Sequence, residues 1–185
     1  MNNTTLAVVI VAALIVVAVI AWTALRKRRS EQLKQRFGPE YDRVVSEQKD
    51  PRRGEALLER RERRVERLQI VALPDATRQR YAEQWAAVQR RFVDDPRVAV
   101  TEADRLVTEV MNARGYPMGD FDQRAADISV HYPRVVQNYR AAHEISRRHD
   151  RGEASTEDLR KAMVHYRSLF EELLETPQPH RKEVA

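Results

Sequence analysis

The segment 6–25 is an uninterrupted run of twenty uncharged, mostly aliphatic residues, and four basic residues follow it directly at 26–29. An α-helix rises about 1.5 Å per residue, so a run of this length spans roughly the 30 Å hydrocarbon core of a bilayer. Twelve of the twenty residues are Leu, Ile or Val. These residues favour insertion by roughly 4 to 7 kcal/mol in total. The sequence therefore predicts an N-terminal transmembrane helix over 6–25, preceded by a short segment 1–5.

A cleaved signal peptide is the alternative interpretation of the same run. Such a peptide has a basic start, an apolar stretch of about 7 to 15 residues and a cleavage site with small residues. Here residues 1–5 carry no Lys or Arg, the apolar run is longer, and the basic cluster lies on its C-terminal side. These features favour an uncleaved membrane anchor.

The orientation of the anchor follows from its flanking charges. Arg26, Lys27, Arg28 and Arg29 lie at its C-terminal end, whereas no charged residue precedes it. The positive-inside rule therefore predicts a single-pass protein of the cell membrane, with the N-terminus outside and the C-terminal domain in the cytoplasm. The same four residues could also contact anionic lipid headgroups, and the two roles are compatible.

The positive charge of the chain is concentrated next to the anchor. Segment 26–70 holds 15 basic and 9 acidic residues, a net charge of +6, and segment 71–185 holds 18 and 19, a net charge of −1. Since the basic excess lies where membrane topology requires it, the charge gives little support to nucleic-acid binding. The chain has no cysteine, which excludes disulfides and thiolate chemistry.

Segment 26–70 is predicted to be helical and strongly polar. Phe37-Gly38-Pro39 interrupts it, because proline removes a backbone donor and disfavours helix in the residue before it. Asp50 is a suitable N-cap for a helix that starts at Pro51 and continues to about Ile70. The apolar stripe of this helix is thin, so we expect a basic juxtamembrane segment and an extended charged helical stalk. Weak self-association through the stalk or the anchor, giving a homo-oligomer, is the alternative.

Segment 71–175 carries much clearer amphipathic patterning. Apolar residues recur at helical spacing in four stretches of about fifteen to twenty residues, which is typical of helices that share a core. Asp95-Pro96, Gly115 and the capping box that starts at Ser155 mark helix boundaries. With short connections, these helices predict an antiparallel bundle of about four helices. The fold class is therefore all-α, and 176–185 is expected to be a disordered tail.

No arrangement of residues predicts chemistry. Asp94 and Asp95 lie between two helices and before a proline, where capping is their expected role. Asp120, Asp122 and His131 lack the spacing of a known metal-binding motif. The phosphate-binding, nucleophile-elbow and zinc-protease motifs are missing from the sequence. The expectation is therefore a non-enzyme with no catalytic, cofactor-binding or metal-binding residues.

Several strings after the anchor resemble a group of uncharacterised bacterial membrane-anchored proteins. They are RFGPEYDRVV at 36–45, RFVDDP at 91–96, GYP at 115–117 and GEASTEDLR at 152–160. The resemblance implies a bacterial origin and no particular activity, ligand or partner.

The expected function is that of a membrane-anchored interaction module, an adaptor or scaffold whose bundle binds another protein. The alternative is a binder of anionic lipid or nucleic acid through the basic segment 26–67. Its candidate residues are Arg60, Arg61, Arg63 and Arg64 on the stalk helix. Glutamates interleave with these arginines and weaken the local field, which favours the adaptor and disfavours nucleic acid.

Overall fold

A computed structural model describes the backbone of residues 3–175 and the side chains from residue 12 onward. Within that range the chain forms eight α-helices and no strand, which confirms the all-α prediction. The helices are α1 (Asn3–Phe37), α2 (Pro39–Gln48), α3 (Pro51–Val65), α4 (Asp75–Asp94), α5 (Pro96–Ala113), α6 (Phe121–His131), α7 (Val136–Asp150) and α8 (Thr156–Leu174). The predicted tail 176–185 and residues 1 and 2 lie outside the described residues.

The predicted helix boundaries depend on local capping, which the structure shows directly. Asp50 accepts a hydrogen bond from the Arg52 amide and Asp95 accepts one from the Val98 amide. Ser155 forms the predicted capping box with Asp158. These bonds satisfy amide groups that would otherwise lack a partner in the first turn of each helix. The boundaries at these three positions are confirmed.

The main core lies between α4, α5, α7 and α8. A short turn joins α4 to α5 and another joins α7 to α8, so each pair is antiparallel, and α5 packs against α8. Trp85 of α4 stacks on Phe170 of α8 with ring centroids 4.7 Å apart. Ala103, Tyr139 and Tyr166 are fully buried between the helices. The predicted helical bundle is present in the described residues, but 71–175 forms five helices, α4 to α8, where about four were expected.

A second core joins the end of α1 to α2, α3 and α6. Its buried apolar members are Leu33, Phe37, Tyr41, Val44, Leu58, Val65 and Val130. Segment 26–70 therefore does not run on as the extended stalk that we expected. The break at Gly38 turns α2 back, and the thin apolar stripe of α3 is covered by α1, α2 and α6. Burial of Leu58 and Val65 removes their apolar surface from water, which favours this packing over an exposed stalk. In addition, α3 ends at Val65 and not near Ile70.

Helix α1 passes without a break through the basic cluster. Every side chain from residue 12 to residue 25 is exposed, whereas Leu33 and Phe37 of the same helix are buried in the second core. Among the described residues, no helix meets the length and apolarity expected of a membrane span. Part of the predicted transmembrane segment, 6–11, lies outside the residues whose side chains are described.

Gly54 lies at a close approach between α2 and α3. A Cβ atom at this position would lie 2.9 Å from the Cα of Val45. Alanine in place of glycine normally favours a helix, but here the new methyl group would press on backbone. We expect Gly54→Ala to lower the free energy of unfolding by about 1 to 3 kcal/mol, measured by thermal unfolding of the full chain in detergent. Arg53→Ala, at an exposed neighbouring position, is the control, and equal stability of the two variants would contradict this packing.

Candidate functional site

Polar contacts fix the C-terminal part of α1 to α3. Ser30 donates a hydrogen bond of 2.6 Å to Glu55, and Arg29 forms an ion pair of 2.5 Å with Glu59. Further along both helices, Arg36 pairs with Glu62. From the Ser30–Glu55 contact to the Arg36–Glu62 contact the residue numbers rise on both helices, so α1 and α3 run parallel. The predicted flanking residue Arg29 is thus part of the fold, whereas the Lys27 and Arg28 side chains are exposed.

The four arginines of the predicted electrostatic surface face different directions. Arg61 is largely buried and donates to Glu40 at 2.8 Å, and Arg64 pairs with the buried Asp127 at 3.1 Å. Arg60 and Arg63 are exposed, and Arg63 lies 3.6 Å from Glu59 one turn before it. The structure therefore does not bring the four together on one surface, and two of them form ion pairs with carboxylates on other helices.

A buried ionic cluster lies where α2, α3, α6 and α7 meet. The Glu40 carboxylate is completely buried and accepts hydrogen bonds from three arginines. Arg43 donates at 2.6 and 2.8 Å, Arg61 at 2.8 Å and Arg140 at 3.2 Å. Arg61 also lies 3.4 Å from the Ser129 hydroxyl. A single carboxylate of α2 thus links three helices, including α7 of the bundle.

The protonation of Glu40 reflects two opposing effects. Burial raises the pKa of this carboxyl, but the hydrogen bonds from Arg43 and Arg61 and the positive charges of Arg140 and Arg43 outweigh it. The pKa is therefore lowered from its usual value, and Glu40 is ionised at neutral pH. A buried carboxylate held by three guanidinium groups stabilises the arrangement of these helices as long as every partner is present.

Asp127 of α6 is also fully buried, but at this residue the effect of burial on the pKa is larger than the effect of the nearby positive charge. Arg64 and the Gln123 side chain, at 2.9 Å, are its hydrogen-bond partners. Burial raises the pKa of Asp127, and the charge of Arg64 does not compensate, since half of that side chain is in solvent. The ionised form of Asp127 is therefore disfavoured in the folded state.

The substitution Asp127→Asn tests whether the ionised form of Asp127 is unfavourable in the folded protein. A raised folded pKa means that the carboxyl stabilises the fold below its unfolded pKa of about 3.9 and loses that contribution as pH rises through the folded value. At pH 7 we expect the variant to be at least as stable as the wild type, because the amide oxygen keeps the bond from Gln123 and the charge is gone. Thermal unfolding at pH 7 measures this. A loss of about 3 kcal/mol would show instead that the ion pair with Arg64 stabilises the fold.

Neither buried carboxylate was predicted from the sequence, although one signal was available. Glu40 lies four residues before Val44, on the face of α2 that is otherwise apolar. Asp127 is likewise next to the apolar Ile128 in a helix too short to show a clear pattern. A charged residue on an apolar face indicates a buried partner, but the sequence does not tell which distant arginine supplies it. Arg140 is a hundred residues from Glu40.

Two of the residues considered as metal ligands in the sequence, Asp120 and His131, have structural partners. Asp120 caps α6 by accepting from the Gln123 amide, and the His131 ring bonds to the Tyr116 hydroxyl at 2.7 Å. Within the described residues, no group of three or more His, Asp or Glu side chains is arranged to hold a metal ion.

Comparison with known proteins gives no relatives for this chain. No protein family, no curated protein and no solved structure matches it.

Proposed function

We propose that this protein is a single-pass, membrane-anchored helical interaction module that does not act as an enzyme. Helix α1 is the anchor over 6–25, the N-terminus lies outside the cell membrane, and the helical domain lies in the cytoplasm. The bundle contacts a protein partner at the membrane surface. The resemblance to bacterial membrane-anchored proteins is consistent with this proposal.

The observation that carries the proposal is the two-part character of α1. From Leu14 to Leu25 its large aliphatic side chains are exposed, with Leu14 at 63% and Leu25 at 65%. Exposed apolar surface on every side of a helix is costly in water and favourable in lipid. After the basic cluster, the same helix buries Leu33 and Phe37 in the domain.

A consequence of this continuity is that the domain is held close to the bilayer. Leu33 is eight residues beyond Leu25, which corresponds to about 12 Å along a helix. Trp22 lies near the C-terminal end of the proposed membrane span, with the Arg26 guanidinium 5.5 Å from its ring centroid. Aromatic and basic residues are both favoured at this depth. The proposed anchor thus positions the bundle through a rigid helix, without a flexible linker.

For the protein partner, we propose the shallow groove between α4 and α5. It has a volume of about 240 Å³, with the charged Arg91, Glu102 and Arg105 at its sides and the largely buried apolar Val88 and Leu106 beneath them. A mixed surface of this kind suits reversible contacts between proteins. A photo-crosslinking residue at Gln84 in the full chain should give a discrete adduct in native membranes, and the same residue at the exposed Lys161 should not. Equal adducts at both positions would contradict this assignment.

The alternative function, nucleic-acid binding through 26–67, has weaker support. Arg29, Arg36, Arg43, Arg61 and Arg64 in this segment are all paired with carboxylates. Pairing reduces the positive field available to a phosphate backbone.

The membrane topology can be tested by cysteine labelling, since the chain has no native cysteine. Lys161→Cys places one thiol at an exposed position of α8. We expect an impermeant maleimide to label it only after the cells are opened, and the protein to stay in the membrane pellet at alkaline pH. Labelling of intact cells would overturn the orientation, and release into the supernatant would overturn the anchor.

A further inference from the structure

We infer that the turn between α2 and α3 forms, with the end of the anchor, a basic collar that rests on anionic phospholipid headgroups. This inference rests on the proposed membrane anchor. The collar consists of six residues from two separate parts of the chain: Arg26, Lys27, Arg28, Lys49, Arg52 and Arg53.

The directions of α1, α2 and α3 place these six residues at the same end of the domain, next to the proposed anchor. Arg61 bonds to Glu40, while Gly54 lies against Val45, so α2 and α3 are antiparallel. The contacts of Ser30 with Glu55 and of Arg36 with Glu62 make α1 and α3 parallel. The turn that joins α2 to α3 therefore points toward the anchor.

The position of the turn along α1 follows from counting residues on both helices from one contact that they share. Ser30 and Glu55 meet at 2.6 Å. Four residues earlier, about 6 Å along each helix, α1 reaches Arg26 and α3 reaches its first residue, Pro51. The turn thus lies beside the first basic residue after the proposed anchor, and it faces the same bilayer surface.

The side chains of the turn are available to a ligand. Lys49, Arg52 and Arg53 are exposed, and Lys49 closes α2 in a left-handed conformation with φ of 53°. Asp50 is the acidic residue of the turn. It caps α3 through the Arg52 amide, and its carboxylate lies 3.7 Å from Arg53. The turn thus carries three exposed basic residues and one carboxylate, and basic groups next to a bilayer surface attract anionic lipid.

The test uses the full chain in vesicles of phosphatidylcholine with one fifth phosphatidylglycerol. Gln48→Cys, at an exposed position beside the turn, carries a fluorophore. A quencher is attached to a trace of either phosphatidylglycerol or phosphatidylcholine. The ratio of quenching by the two lipids reports local enrichment of anionic lipid. In this background, Lys49, Arg52 and Arg53 are changed together to Gln. The matched control changes Arg97, Arg147 and Lys161, which are exposed and distant in sequence from the turn, to Gln.

We expect severalfold enrichment of the anionic lipid at low salt, which disappears near 1 M salt because exposed charges are then screened. Each basic residue near an anionic surface contributes a factor of up to about five, so the turn variant should lose most of the enrichment. The control variant should keep it. Equal quenching by both lipids in the parent protein, or equal enrichment in the turn variant and the control, would overturn the collar alone. Absence of quenching by either lipid, together with release at alkaline pH, would overturn the anchor as well.

Discussion

Glu40→Gln is expected to destabilise the folded domain by about 3 kcal/mol at pH 7, a fall in Tm of roughly 6 to 12 °C. The substitution preserves the size of the side chain but removes the charge to which Arg43, Arg61 and Arg140 donate. These guanidinium groups are 12 to 24% exposed, so water can replace only part of the lost interaction. Thermal unfolding of the full chain in detergent, followed by circular dichroism, measures the effect.

Glu47→Gln is the matched control for this variant. Glu47 pairs with the same Arg43, but 54% of its side chain is exposed, so its loss should change stability by less than about 0.5 kcal/mol. The effect should also depend on pH. Because the folded pKa of Glu40 is lowered, its contribution is present above the unfolded value of about 4.3 and disappears as pH falls through the folded value. Similar stability of the two variants at pH 7 would contradict the role of the cluster.

Val16→Arg together with Val17→Arg, in the apolar part of α1, is expected to abolish the proposed membrane association of the chain. Val16 and Val17 are exposed near the middle of the proposed span. An arginine at the centre of a transmembrane helix costs about 2.5 to 3.5 kcal/mol, so two of them offset the 4 to 7 kcal/mol that favours insertion. The fraction of protein that stays in the membrane pellet at alkaline pH is the measurement, and we expect it to fall from most of the protein to little of it.

The helical domain should remain folded in this double variant, since its two cores begin at Leu33. Val16→Leu with Val17→Leu is the control, and it should stay in the membrane. If the double arginine variant also stayed there, the association would depend on a surface other than the apolar part of α1.

Local sequence signals accounted for most helices of this protein, whereas the eleven-residue α6 was not among the four that the amphipathic pattern of 71–175 predicted. Helix starts at Asp50, Asp95 and Ser155 depend on hydrogen bonds within three residues, and the sequence contains both partners. The apolar stripes of α4, α5 and α8 contain enough large residues to indicate a shared core. The sequence therefore predicted the all-α class and the bundle.

The arrangement of α2 and α3 was not predictable in the same way. A few apolar residues on a highly charged helix are typical of an exposed stalk, yet Leu58 and Val65 are buried here. Their burial depends on α1, α2 and α6, and the ion pairs that accompany it join Arg61 to Glu40 and Arg64 to Asp127. Such pairs connect residues that are 21 and 63 positions apart, and helical periodicity gives no information on contacts at that distance.

The proposal that one rigid helix joins the bilayer to the domain core can be tested by a distance within α1. Thr23→Cys with Gln35→Cys places two spin labels at exposed positions on either side of the basic cluster. In a continuous helix their backbones are twelve residues apart, about 18 Å. Pulsed electron spin resonance on the full chain in lipid bilayers should give one narrow distance distribution near that value. A broad distribution would show a hinge at the basic cluster and would contradict the rigid connection.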